Sequence, residues 1–305
     1  MTMPRRRFLN ILAASALLPS AARAMTWQGQ ALGAECSITL SGASDRAEAA
    51  LAALPALLRR IEAEFSLHDP GSALCRLNAA GSLPDASPAF HALIALSDQV
   101  NRATDGAFDP TVQPLWQALA SGQPSLAPIG WHQLTLDPLT LKPGMALTLN
   151  GIAQGFATDA ARALLASHGF DHALINMGEQ AALGGPFHIG ISDPQFGILA
   201  TRSLTNRAIA TSAPRATLVA GQPHIRHPRG LPPLWSSVTV EADSAAMADA
   251  LSTALVFQGA EFIRALTLPG LHSVSVVTPS GDYATLRQAS FSTRTPAPRR
   301  SGWQR

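Results

Sequence analysis

Residues 147–169 read LTLNGIAQGFATDAARALLASHG, and they constrain the fold more than any other stretch. Leu147 and Leu149 predict an apolar strand that passes through Asn150 and Gly151 into an amphipathic helix, whose apolar positions Ile152, Phe156, Ala160, Ala163 and Leu164 recur at helical spacing. Gly169 stands where a left-handed helix end is expected. Gly151 and Gly155 leave amides uncovered near a helix N-terminus, where unpaired N–H groups and the helix dipole favour an anion such as a pyrophosphate. Small residues before a helix also serve simple close packing, so the turn alone fits both a phosphate cradle and a bare packing joint.

The ends of the chain bear on compartment. Residues 1–24 combine a basic head, an apolar run from Phe8 to Leu18 and a small-residue exit at Ala22-Arg23-Ala24, which predicts an export signal cleaved near Ala24 and Met25. The run is too short to span a bilayer, so no stable membrane anchor is expected. PRRRFLN, with Arg5 and Arg6 as the pair, resembles the twin-arginine motif and points to the periplasm. The formal charge of +2 counts four leader arginines with no acid among them, and without those the chain carries −2. That balance argues against nucleic acid as a partner. Cys36 and Cys75, the two cysteines in 305 residues, are no disulfide framework and are expected as free thiols.

Between the ends, strands alternate with single helices and hairpins rather than in regular βαβ units, which predicts an α+β fold with a mostly antiparallel sheet. An opening strand pair broken at Gly33 precedes a helix through Leu51, Leu54, Leu58, Ile61 and Phe65, which Pro55 is expected to kink or split. Ser87 and Pro88 open a second helix, and residues 104–116 read as a loop around Asp109-Pro110. Residues 117–145 show no period and predict a variable connection. Further strands are expected at 172–178, 187–194, 207–212, 235–241, 272–278 and 283–288, with a helix over 245–258 capped by Ser244 and stopped by Gly259. The domain is expected to span 25–291, followed by a loose Pro- and Arg-rich tail over 292–305.

Within ADALSTALVFQG, residues 248–259, Asp249 and Thr253 lie four apart and share a helix face. A carboxylate and a hydroxyl suit Mg²⁺ or Ca²⁺ held jointly with phosphate oxygens, while a capping Asp and a back-bonded Thr give the same spacing. The apolar neighbours Leu251, Ala254 and Leu255 bury this helix, and a buried Asp without a partner is costly, which favours the cation. His224 and His227 lack the Cys or acid that would complete a zinc set.

These segments resemble the ApbE-type FAD:protein FMN transferases over nearly the whole mature chain. ALGAE, FSLHDPGSALCRLN, TDGAFDPTVQPLW, LTLNGIAQGFATD, INMGEQ, IATSAP, HIRHPRG and SSVTVEADSAAMADALSTALVFQG appear in the family's order. The resemblance implies a two-lobed α+β fold with FAD in the cleft and Mg²⁺ on its pyrophosphate. It implies that Asp249 and Thr253 grip the metal, with Ser252 at hand and the Ala157 carbonyl joining them. It places the flavin nucleotide against Leu32, His68, Ala107, Phe108, Asp109, Gln154, Ala160, His224 and Ile225. The implied reaction is attack of a Thr or Ser hydroxyl of an acceptor flavoprotein, a subunit of a membrane redox complex, on the FMN phosphorus, with AMP leaving. His224 is the candidate base and Asp249, through a bound water, the fallback.

Several positions depart from the family pattern. Leu-Asp-Leu-Gly-Gly is Leu147-Thr148-Leu149-Asn150-Gly151 here, Lys-Gly-Tyr is Gln154-Gly155-Phe156, and Gly-Gly-Asp is Gly178-Glu179-Gln180. Thr-Ser-Gly is Thr211-Ser212-Ala213, and the acid of His-Ile-Ile-Asp-Pro is His227. Losing a cationic side chain weakens the hold on a pyrophosphate, for which Arg226 or Arg229 could compensate. Two alternatives stay open beside the transferase: a non-catalytic FAD-binding accessory protein for a periplasmic oxidoreductase, and an FAD pyrophosphatase.

Overall fold

The computed structural model describes residues 24–41 and 45–288. The leader, apart from Ala24, and the tail lie outside the described residues. The chain opens on β1 (Ala24–Ala31) and β2 (Ala34–Ser41), joined by a tight turn in which Leu32 and Gly33 both take positive φ, 49° and 77°. Four helices follow: α1 (Asp45–Phe65), α2 (Ala73–Ala80), α3 (Pro88–Ala103) and α4 (Gln113–Ser121). A two-residue pair, β3 (Thr135–Leu136) and β4 (Leu139–Thr140), leads to α5 (Ala153–Ser167). Next come β5 (Ala173–Asn176), β6 (Gln180–Leu183), β7 (Phe187–Asp193), β8 (Gly197–Leu204) and β9 (Ala208–Ser212). The short pair β10 (Leu218–Val219) and β11 (Gln222–Pro223) precedes β12 (Ser237–Ala242). The last elements are α6 (Ala245–Leu255), α7 (Ala260–Ala265), β13 (Leu271–Val277) and β14 (Tyr283–Gln288).

Eight strands form one sheet in the order β1-β2-β5-β6-β9-β12-β13-β14, and every neighbouring pair is antiparallel. The expected α+β class with a mostly antiparallel sheet is therefore what the chain adopts. One face carries the main core, in which Ile38, Leu40, Ile175, Val238, Val240 and Val274 join the apolar sides of α1, α5 and α6. On the other face the β7–β8 hairpin packs Ile189, Ile191 and Leu204 onto Ala182 and Ile209. Covered from both sides, β12 is buried along its whole length. Its polar side chains are satisfied: Ser237 donates to Asp193 at 2.7 Å, Thr239 meets Thr211 at 2.9 Å, and Glu241 pairs with Arg207 at 2.7 Å.

Several expectations need correction. Pro55 does not split α1, which runs unbroken for 21 residues. Its ring faces solvent, and the Leu54, Leu58, Ile61 and Phe65 side chains on the opposite face are buried. Each such burial contributes about 1.5–3 kcal/mol, together more than the ~3 kcal/mol that an interior proline costs. Residues 113–121, expected as loop and variable connection, form α4. Strands β6 and β8 went unread because their runs are small or polar, AAL and ATRS, and they gain strand character only by pairing. Helix α6 ends at Leu255, short of the expected end at 258, and Gly259 does not stop it but stands at the N-cap position of α7.

The segment before α5 is extended but joins no sheet. The Asn78 side chain takes the place of a neighbouring strand: its amide donates to the Leu147 carbonyl at 2.9 Å, and its oxygen accepts from the Leu147 amide at 2.7 Å. The Thr148 amide bonds the Pro110 carbonyl at 2.8 Å. Leu147 and Leu149 are both buried.

Candidate functional site

Two helices build the site. The N-terminal part of α5 lies against α6 so closely that a Cβ on Gly155 would fall 2.3 Å from the Ala245 carbonyl oxygen, and a Cβ on Gly151 would fall 3.0 Å from Thr253 Oγ1. Asp159 of α5 fixes this contact by capping α6. Its carboxylate accepts from Ser244 Oγ at 2.7 Å and from the amides of Ala245 and Ala246 at 3.0 Å each. A negative group at a helix N-terminus is favoured by the dipole. Asp159 carries a signal that sequence reading passed over, an acid on one helix that reaches the cap of another.

At the centre is Asp249, 4% exposed. Its Oδ2 accepts from the Gly155 amide at 3.1 Å, and no further hydrogen bond to its carboxylate is formed among the described residues. Around it stand hydroxyls. Ser252 Oγ lies 2.9 Å from Ser212 Oγ, at the end of β9, and Ser212 Oγ lies 3.3 Å from Thr253 Oγ1. Ser252 also bonds the Asp249 carbonyl at 3.0 Å. Ser212, of the Thr211-Ser212-Ala213 run, thus belongs to the same cluster as the predicted metal residues. Ala157 is fully buried on α5.

A second carboxylate faces this group. Glu179, in the turn between β5 and β6, accepts from the Thr211 amide at 3.3 Å. Its carbonyl and that of Gln154 both accept from Thr158 Oγ1, at 3.1 and 2.9 Å. Burial pushes the Asp249 carboxyl up from 3.8 to about 7, against the lowering effect of the Gly155 amide. Burial, and then the Asp249 charge, hold Glu179 well above the usual carboxylate range. A buried carboxyl whose charge raises a half-buried neighbour in this way favours any species that brings positive charge near them.

The remaining predicted residues fall into two sets. Gln154 reaches Leu32 across the site, its Nε2 3.5 Å from the Leu32 carbonyl, while the Leu32 amide bonds Glu62 Oε1 at 3.1 Å. His224 is tied to the segment that follows Ser212, with Nδ1 3.1 Å from the carbonyls of both Pro214 and Thr217. Both partners are acceptors, so Nδ1 carries the proton and Nε2 the basic lone pair. Ile225 and Ala160 are half-buried against the core. His227, at the departed acid position, packs edge-on to Phe257 and accepts the Arg229 amide at Nδ1, 3.1 Å away. Burial holds its pKa down, and Arg229 adds to the effect, so it is a neutral acceptor in that turn.

The second set supports the loop over 104–112. Asp109 accepts from the Thr111 amide at 2.8 Å and Thr111 Oγ1 at 2.6 Å through Oδ1, and from the Trp131 amide at 3.0 Å through Oδ2. Its carboxylate is turned inward and fully engaged. Ala107 and Phe108 beside it are buried. His68 is exposed in the turn after α1, where its amide bonds Ser66 Oγ at 3.1 Å.

Residues 32–281 match the ApbE family model. The chain belongs to the ApbE family. A relative from Rhodobacter capsulatus named FAD:protein FMN transferase is 27% identical over 277 residues, covering 77% of this chain, while the chain spans only 52% of that relative's length. A Vibrio cholerae relative of the same name is 26% identical over 241 residues, covering 67% of this chain and 72% of the relative. Among solved structures, the flavin transferase ApbE from Vibrio cholerae superposes with a TM-score of 0.76 at 22% identity, covering 89% of this chain and 99% of its own. The ApbE protein from Thermotoga maritima gives 0.74 at 25% identity, covering 88% and 98%. The glycine-bearing turn and the helix of Asp249 and Thr253 meet in this chain as Gly151 against Thr253 and Gly155 against Asp249.

Proposed function

We propose that this chain is an exported, Mg²⁺-dependent transferase that moves FMN from FAD to a Thr or Ser hydroxyl of an acceptor flavoprotein and releases AMP. The observation that carries the reading is Asp249, a buried carboxylate with one oxygen uncommitted, set among the Ser252, Thr253 and Ser212 hydroxyls. That donor set is hard, oxygen-only and incomplete, which fits a cation that shares its remaining positions with phosphate oxygens. Bound there, Mg²⁺ would supply the positive charge that a pyrophosphate and a departing nucleotide need. The turn at Asn150-Gly151 and the first turn of α5 would seat the phosphates by backbone amides. His224, its tautomer fixed by the Pro214 and Thr217 carbonyls, would take the proton of the incoming hydroxyl at Nε2.

The names of the curated relatives and the in-order motifs support the reaction class. The twin-arginine-like leader over 1–24 supports a periplasmic location and, through it, an acceptor in a membrane redox complex. The test is to incubate the mature chain with FAD, Mg²⁺ and a peptide carrying an acceptor Thr. A covalent flavin on the peptide is the expected result. FMN and AMP without an adduct would make the chain a pyrophosphatase, and bound, unchanged FAD an accessory flavin carrier; either would overturn the transferase.

A further inference from the structure

We propose that Glu179 is a second carboxylate of the cation site, so that Glu179 and Asp249 together bind a divalent cation such as Mg²⁺ before any nucleotide arrives. The inference rests on the cation reading of Asp249 and adds a residue to it. Among the described residues no group of three or more His, Cys, Asp and Glu side chains is placed to hold a metal. A site here must therefore combine few charged donors with neutral oxygens. Asp249 alone gives a single negative charge, which is weak for a cation that surrenders its waters reluctantly.

The placement of Glu179 follows from two contacts. Its carboxylate is held by the Thr211 amide, one residue before Ser212, whose hydroxyl meets Ser252 and Thr253. Its carbonyl shares Thr158 Oγ1 with the Gln154 carbonyl, one residue before the Gly155 amide that bonds Asp249. Glu179 is thus tied to both walls of the Asp249 pocket. Asp249 itself points to a ligand independently: it is 4% exposed, and its Oδ1 accepts no hydrogen bond among the described residues. A carboxylate so nearly buried, with one oxygen unengaged, is costly unless something positive occupies the space before it.

The test is calorimetric titration of nucleotide-free protein with MgCl₂, on the wild type, Glu179→Gln and Asp249→Asn. The wild type is expected to bind one Mg²⁺, with affinity at least about tenfold lower in Glu179→Gln and lost in Asp249→Asn. Thermal unfolding in EDTA guards against misfolding, since Glu179→Gln should match or exceed the wild type there and fall behind only when Mg²⁺ is added. Undiminished Mg²⁺ binding by Glu179→Gln, or no binding by the nucleotide-free wild type, would overturn the proposal. Both readouts are separate from flavin transfer. A protein that binds Mg²⁺ through Glu179 yet leaves the acceptor peptide unmodified would sink the transferase reading alone.

Discussion

The Gly155 amide donates to Asp249 Oδ2 at 3.1 Å, and it can do so because residue 155 has no side chain to hold α5 away from α6. A Cβ there would lie 2.3 Å from the Ala245 carbonyl oxygen and 2.6 Å from Ala246 Cα, both backbone atoms that cannot rotate aside. Gly155→Ala should therefore push the helices apart, costing about 1–3 kcal/mol or more of stability and breaking the Asp249 contact. Urea unfolding reads the first effect. An alanine variant as stable as the wild type would show that the joint is looser than described.

Asp249→Ala should abolish cation-dependent flavin transfer, a loss larger than the ~10–100-fold that removing a supporting partner of a metal ligand costs. Normal turnover by this variant would end the metal assignment.

The raised Asp249 carboxyl also predicts a pH dependence in cation-free protein. Its value moves from 3.8 to about 7 on folding, so the folded state binds the proton more tightly than the unfolded one. The sign is opposite to that of a salt-bridged carboxylate: this contribution is greatest below 3.8 and is lost as pH rises to about 7. Melting temperatures in EDTA across that window should decline more steeply for the wild type than for Asp249→Asn. Parallel curves would contradict it.

Asp109→Ala should destabilise the loop over 104–112 without touching the Asp249 cluster. The Thr111 and Trp131 amides lose their acceptor, at about 1–3 kcal/mol for each buried donor left unpaired. A shifted denaturation midpoint with unchanged Mg²⁺ affinity is the expected pair of results.

The two thiols should differ in reactivity. Burial pushes the Cys36 thiol up to about 11, while Cys75 is only partly buried. At pH 8 a maleimide should label Cys75 first and reach Cys36 only in denaturant, because the thiolate is the reacting form. Early modification of Cys36, located by peptide mapping, would count against this packing of β2.

Much of the fold was legible where local pattern and tertiary demand agree. The opening strand pair, α1, α3, α5 and α6, with Ser87 and Ser244 bonding the amides of Phe90 and Met247, follow from periodicity and capping chemistry alone. Misreadings came where a distant partner decides. Residues 147–149 look like a strand because they are apolar and extended, yet their hydrogen bonds go to Asn78 and Pro110, which no local window contains. The run from 113 to 121 hides a helix behind Gln113-Pro114, since proline suits a first turn as well as a loop.

For the site, sequence alone determined that residues 249 and 253 share a helix face and that Gly151 and Gly155 lie at a helix start, because both statements depend only on 3.6-residue geometry. Only the tertiary structure decided that Gly151 faces Thr253 and Gly155 faces Asp249, about a hundred residues on, and that Ser212 and Glu179 join them. The physical reason is the packing of α5 on α6. Spacing can place a donor on a surface, but which surfaces meet is set by burial of the whole core, and the effect of the Asp249 charge on Glu179 exists only once those surfaces have packed.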